Sequence, residues 1–214
     1  MSKTDSKASP ALGYLVVYNF VSLALWILVL FSIGILNFSN VEKTSIHLFI
    51  ACTQSLAILE IFHAIAGIVK SSIGTTSIQI SSRLLLSYIL VFLYPQSQVV
   101  AFYLMILAWG ITECIRYSHY LLILLNFSNA ASKSIAWARY TFFFVLYPLG
   151  AASEVVLLWC SSNEVVEIQV IATTFKIIAG VYIPGFYMMY RHMIIQRRKF
   201  IKSEITSKQA KKAL

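Results

Sequence analysis

The sequence predicts an all-α fold: a polytopic membrane bundle of six transmembrane helices with both termini cytosolic. Three observations carry this reading. Hydrophobic residues make up 59% of the 214 residues and charged residues only 12%, against about 25% charged in soluble domains. The apolar residues gather into six runs divided by short polar breaks. Lysine and arginine concentrate in alternate breaks and so on one side, as the positive-inside rule requires.

The runs follow in order as Ala11–Leu36, Ile46–Val69, Ile78–Leu93, Val99–Leu125, Ile135–Leu158 and Ile168–Met189. Crossing a bilayer takes about 20 residues, so the third run is marginal and the fourth is long. Turn chemistry marks the breaks: Asn37-Phe-Ser-Asn40, Ser71-Ser-Ile-Gly74, Pro95-Gln-Ser97, Asn126-Phe-Ser-Asn129 and Ser161-Ser-Asn-Glu164. Residues 1–10 form a polar cytosolic segment, 11–190 the membrane catalytic domain and 191–214 a basic cytosolic tail. The first apolar run is too long for a signal-peptide core, so no cleavage is expected. No internal repeat or inserted soluble domain is visible.

Lys3, Lys7, Lys70, Lys133 and the tail from Arg191 fall on one side; Lys43, beside Glu42, and later Glu164 and Glu167 fall on the other. The first side is therefore cytosolic. Eight of the 17 basic residues, within a net charge of +9, lie from Arg191 onward. That clustering suits anionic lipid headgroups and gives no reason to expect nucleic acid. The ending Lys211-Lys212-Ala213-Leu214 has the pattern of a dilysine endoplasmic-reticulum retrieval signal; a solvated basic tail is the plainer reading. Asn37-Phe-Ser39 and Asn126-Phe-Ser128 match glycosylation acceptors, but the first abuts the membrane and the second faces the cytosol, so neither is expected to be modified.

Chemistry resides in the ionisable residues of the spans: Glu60, Arg83, Glu113, Arg116, Arg139, Glu154 and Lys176. Such groups are costly in lipid and are functional by default. Tyr147 and Glu154 are seven residues apart in one run, two helical turns, which puts both on nearly the same face. A phenol aligned with a carboxylate is a minimal set for moving protons. Glu60, Arg83, Glu113, Arg116 and Arg139 fall in the cytosolic half. With residues 135–158 read as one helix, eight residues put roughly 12 Å of depth between Arg139 and Tyr147. Glu113 and Arg116 are placed to pair, with Tyr117 and Tyr120 continuing their face. Glu60, His63 and Gly67 line a second face, Gly67 allowing close helix approach.

Ion-pair staples are the plain reading of the arginine layer. Three arginines against two carboxylates leave a positive surplus, and arginine suits phosphate. Lys176 can snorkel to the lumenal interface. His63 and His119 read as hydrogen-bonded packing residues, and the tyrosine and phenylalanine clusters as packing and interfacial belts. No metal-ligand spacing occurs, and no metal or cofactor is expected. Cys52, Cys114 and Cys160 read as small core residues.

An arginine layer leading to a proton-transfer pair deep in an apolar bundle fits a substrate with a phosphate-bearing head and a long acyl tail, such as an acyl-CoA thioester. Dehydration of a 3-hydroxyacyl thioester needs a base for the α-proton and an acid for the departing hydroxyl. A non-catalytic scaffold and a small proton-coupled carrier are the rival readings. Carriers usually show repeat symmetry and matched broken helices, and the prolines at Pro148 and Pro184 lack matching flanks.

The chain resembles the very-long-chain (3R)-3-hydroxyacyl-CoA dehydratases, once called protein tyrosine phosphatase-like proteins. The similarity runs from about Leu12 to Arg198 and rests on Tyr18-Asn19, Leu59-Glu60, Gln79-Ile-Ser-Ser-Arg83, Ala108-Trp109, Ile111-Thr-Glu-Cys-Ile-Arg-Tyr117, Arg139-Tyr140, Leu146-Tyr-Pro-Leu-Gly150 with Ser153-Glu154, and Tyr182-Ile-Pro-Gly-Phe186. The resemblance implies six spans, cytosolic termini, residence in the endoplasmic-reticulum membrane, the third step of fatty-acid elongation, and Tyr147 and Glu154 as the catalytic pair. It also implies a long-chain 3-hydroxyacyl-CoA substrate and association with the condensing enzyme, the ketoacyl-CoA reductase and the enoyl-CoA reductase. Glu60, Arg83, Glu113, Arg116, Arg139, Gly150 and Ser153 are candidates for substrate binding or support. Glu154 is favoured as base and Tyr147 as acid, and Ser153 or a backbone amide near Pro148 as donor to the thioester oxygen. Cysteine-phosphatase chemistry is excluded: the positions six after each cysteine hold Ile58, Tyr120 and Val166, not arginine.

Overall fold

The computed structural model describes residues 10–38, 43–69, 71–92, 100–164 and 168–212. Its helices are α1 (Pro10–Phe38), α2 (Lys43–Ser55), α3 (Ile58–Ile65), α4 (Ile73–Phe92), α5 (Val100–Leu124), α6 (Ala130–Arg139), α7 (Phe143–Glu164) and α8 (Gln169–Lys212). No strand occurs among the described residues. Among the described residues, five stretches are long and apolar enough to cross a membrane: Pro10–Gly34, Ser45–Ile65, Val100–Leu124, Phe143–Glu164 and Gln169–Ser203. The 20-residue α4 is not among them, in keeping with the marginal third run. Lys3, Lys7, Glu42, Lys70, Pro95, Glu167 and the last two residues of the dilysine end lie outside the described residues.

The Asn126-Phe-Ser-Asn129 break works at both ends. Asn126 adopts a left-handed φ of 54°. The Asn126 amide bonds the Ile123 carbonyl at 3.1 Å and the Phe127 amide bonds Leu122 at 2.9 Å, which satisfies the carbonyls at the end of α5. Three residues on, the Asn129 side chain accepts from the Ser132 amide at 3.0 Å and caps α6.

Three expectations are corrected. The second run divides at Leu56–Ala57 into α2 and α3, where the Leu59 and Glu60 amides make three-residue bonds to Leu56 and Ala57. Gly67 is not a close-approach residue. It lies beyond α3 with φ 68° and open space around it, and the same pair of amide bonds, Gly67 to Ala64 and Ile68 to His63, ends that helix. The fifth run is broken at Tyr140–Phe142, inside a β-branched and aromatic stretch of poor helix propensity, so the 12 Å depth taken from one continuous helix does not hold. α6 buries no residue.

α5 is the axis of the bundle, packed against α1, α6 and α7, while α7 packs on α8 and α4 on α2 and α3. Tyr18 meets Tyr117 and Leu30 meets Gly110, so α1 and α5 run antiparallel. A Cβ on Gly110 would come within 2.5 Å of Leu30; the absent side chain is what lets these helices close. Phe102, Met105 and Ile106 of α5 are buried with Trp26 and Val29 of α1 and Leu157 and Leu158 of α7. Val17, Phe20 and Phe31 on α1, and Ile177, Ile183 and Met188 on α8, point outward. Among lipid tails such faces need no partner, and helix association depends on close packing and polar contacts.

Candidate active site

Two polar layers occupy the bundle. The first is an ion-pair network joining four helices. Glu113 of α5 accepts from Arg83 of α4 and from Arg116, whose Nε is 2.7 Å away. Arg116 also grips Glu60 of α3 through Nη1 at 2.5 Å and Nη2 at 2.9 Å. Glu60 further accepts from the Tyr117 phenol at 2.7 Å and the Tyr18 phenol at 3.2 Å. Arg83 and Arg116 thus share Glu113, and Arg116 bridges it to Glu60, a staple geometry. Arg139 does not join them: its Nη2 donates to Tyr120 Oη at 3.1 Å, and its Cζ lies 4.6 Å from the centre of that ring. His63 accepts or donates at 2.9 Å to Tyr14 and packs on Tyr18, and Lys176 lies 5.7 Å from the Trp159 ring.

A cavity of about 890 Å³ opens on this layer. Glu60, Arg83, Glu113, Arg116 and Arg139 line it, together with Leu146 of α7. Its size is within the range of small-molecule pockets, about 300–1,000 Å³.

Beyond Arg83 comes the second layer. The Arg83 guanidinium lies 5.4 Å from the Trp109 ring centre, and Trp109 Nε1 donates to Glu154 Oε1 at 2.8 Å. Glu154 is buried on α7 and forms no ion pair among the described residues. The Tyr182 hydroxyl of α8 approaches the same carboxylate. Tyr147, half-buried two turns earlier, stacks on Phe186 at 5.2 Å and Tyr190 at 6.3 Å. α7 remains helical through Pro148, which preserves the shared face. Gly150 is buried against Ala108 and Trp109, and a Cβ there would stand in ordinary contact with them, at 3.6 and 3.9 Å.

Ser153 is no free donor: its Oγ bonds the Leu149 carbonyl at 2.7 Å, within its own helix. Nor does Pro148 free an amide. Lacking N–H, it deprives a carbonyl one turn back of its donor, and a carbonyl cannot stabilise an oxyanion. No group of three His, Cys, Asp or Glu among the described residues is placed to hold a metal.

The family model described as protein tyrosine phosphatase-like protein, PTPLA, matches residues 54–203. The chain belongs to the PTPLA family. The probable very-long-chain (3R)-3-hydroxyacyl-CoA dehydratase of Schizosaccharomyces pombe is 39% identical over 199 residues, covering 88% of this chain and 93% of that protein. The human very-long-chain (3R)-3-hydroxyacyl-CoA dehydratase 2 is 35% identical, covering 89% and 82%. The Arabidopsis thaliana dehydratase PASTICCINO 2 is 31% identical, covering 87% and 91%. No solved structure matches. The PTPLA match covers both polar layers from Glu60 to Tyr190 and leaves out Tyr18 of α1.

Sequence reasoning missed Trp109, Tyr182 and Tyr18 as partners of the glutamates. A signal existed for Trp109, which stands four before Glu113 on the polar stripe that continues through Arg116, Tyr117 and Tyr120. None existed for the Tyr182–Glu154 approach, which depends on how α7 and α8 pack.

Proposed function

We propose that this chain dehydrates long- and very-long-chain (3R)-3-hydroxyacyl-CoA to trans-2-enoyl-CoA, with Tyr147 and Glu154 as the catalytic pair. One observation carries the reading: a buried glutamate, held by an indole rather than a cation, shares a helix face with a phenol beside an arginine-lined cavity. The names of the relatives support the same reaction.

Glu154 takes the proton from C2 through Oε2, leaving Oε1 on Trp109. The C3–O bond breaks, its hydroxyl receives the Tyr147 proton, and water and the enoyl thioester leave. Transfer from the Glu154 acid to the Tyr147 phenolate restores both groups, so no net proton is gained or lost. Each group supplies general acid–base catalysis, about 10²–10⁴-fold. Incubating purified protein with a 3-hydroxyacyl-CoA and following enoyl-CoA tests the proposal; no product from well-folded protein refutes it.

Six spans, with α4 as the third and both termini cytosolic, accommodate this chemistry. The pairings Tyr18–Tyr117 with Leu30–Gly110, Tyr120–Arg139 with Trp109–Glu154, and Phe143–Tyr190 with Tyr147–Phe186 each rise along one segment of the chain and fall along the other, and this alternation supports a common side for the start of α1 and the end of α8. The lipid-inserted polar network suits a division into segments 1–10, 11–190 and 191–214, in the endoplasmic-reticulum membrane beside the other elongation enzymes. Cysteines placed in the tail and beside Lys43 test sidedness with an impermeant thiol reagent on sealed microsomes. Labelling at Lys43 with protection of the tail overturns it. Pro148 and Pro184 both lie inside continuous helices, which gives a carrier no broken pair to work with.

A further inference from the structure

Arg139 is set apart by its lack of a counter-ion. The two carboxylates of the first layer are taken by Arg83 and Arg116, and Arg139 makes no ion pair among the described residues. Its Nη2 bonds Tyr120, yet its Nη1 is shut from solvent without a hydrogen-bond partner. An unsatisfied buried donor costs about 1–3 kcal/mol, more when charged, and Arg139 carries one beside a cavity that its other atoms line. Arg116 approaches the same Tyr120 ring at 6.0 Å, which places two cations around one phenol. Opposite them α8 offers the polar side chains His192 and Gln196, joined at 2.7 Å.

We propose that Arg139 binds a phosphate group of the nucleotide end of the acyl-CoA, and that Arg83 and Arg116 are structural staples. The proposal rests on the acyl-CoA reading above. Guanidinium presents its N–H groups in a fork that matches phosphate oxygens, and such charge-assisted bonds are among the strongest available. The cavity that Arg139 lines extends to Leu146, next to Tyr147 in the chain. Arg83, on another wall of the same cavity, borders the second layer through Trp109, so a molecule anchored by phosphate at Arg139 can extend toward that layer. A lipid headgroup carries the same phosphate chemistry, and the test separates the two sources.

The protein and its Arg139→Gln variant are assayed in neutral detergent free of phospholipid. The substrates are a 3-hydroxyacyl-CoA and the matching N-acetylcysteamine thioester, which has no phosphate. The variant is expected to raise KM for the CoA thioester about 10- to 100-fold, the worth of a hydrogen bond to a charged group, and KM for the truncated thioester by less than about twofold. Arg139→Lys, which keeps charge but loses the fork, is expected to fall between. Adenosine 3′,5′-bisphosphate is expected to raise the melting temperature of the unaltered protein and not of the Gln variant. An equal KM change on both thioesters assigns Arg139 to structure and overturns the proposal. So does a CoA-specific shift seen only after anionic lipid is added, since the phosphate is then a lipid's. If the Gln variant fails to fold, Arg139→Lys and the bisphosphate melt decide: no stabilisation of the unaltered protein overturns the proposal. Absence of enoyl product from both thioesters, with bisphosphate stabilisation intact, instead refutes the dehydratase reading.

Discussion

Glu60 and Glu113 are held by guanidinium groups, whereas Glu154, buried in the same bundle, is held by an indole N–H. Taking either carboxylate away would strand a half-buried arginine. Glu154 has only neutral hydrogen-bond donors in contact and belongs to no ion pair among the described residues. The difference is one of partner: two acids tie helices together through guanidinium groups, and the third meets dipoles alone.

The sharpest way to break this contrast is to remove the exchangeable groups. Glu154→Gln and Tyr147→Phe are each expected to lower kcat by about 10²–10⁴-fold, with little change in melting temperature, since both replacements are near-isosteric. Normal turnover by either variant in a detergent assay removes that residue from the mechanism. Glu113→Gln is expected to do the reverse. It strands Arg83 and half of Arg116, and breaking a buried pair costs about 3–5 kcal/mol, so thermal stability and yield should fall first. A Glu113→Gln protein as stable as the parent would mean that the network is no staple.

The smaller effects sharpen the same line. Trp109→Phe keeps most of the packing and removes the donor to Glu154, which is worth about 1.5–3 kcal/mol when charged. Turnover is expected to fall about tenfold or more, with KM nearly constant, and an unchanged kcat would show that the indole only packs. Ser153→Ala is expected to change kcat by less than about threefold, because its hydroxyl already bonds Leu149. A loss above about a hundredfold would restore it as an oxyanion donor.

The apolar runs made most of the helices legible, because lipid demands long uninterrupted hydrophobic segments whose backbone groups are paired internally. The Asn126–Asn129 break was legible for the same reason that it works, since asparagine serves both as a left-handed terminator and as a cap. The splits at Leu56–Ala57 and Tyr140–Phe142 were not, because hydropathy is blind to a turn made of apolar and aromatic residues. In the site, the Glu113–Arg116 pair was readable from spacing along one helix, as was the placement of Tyr147 and Glu154 on one continuous helix. The pairings Arg83–Glu113, Arg116–Glu60 and Trp109–Glu154 join different helices, and spacing along one chain segment carries no information about those. Gly110 was silent for a similar reason: its closeness to Leu30 exists only after α1 docks.

α8 runs without interruption from Gln169 to Lys212, which at 1.5 Å per residue makes a rod of about 66 Å. Near its middle Tyr190 stacks on Tyr147, and Phe200 farther along stacks on Tyr140 at 4.5 Å. The charged end and the Tyr147 phenol are therefore mechanically one piece. Tilting that rod by its basic end means separating aromatic pairs that each contribute about 0.5–1.5 kcal/mol, which makes the end a lever arm with its fulcrum at Tyr147.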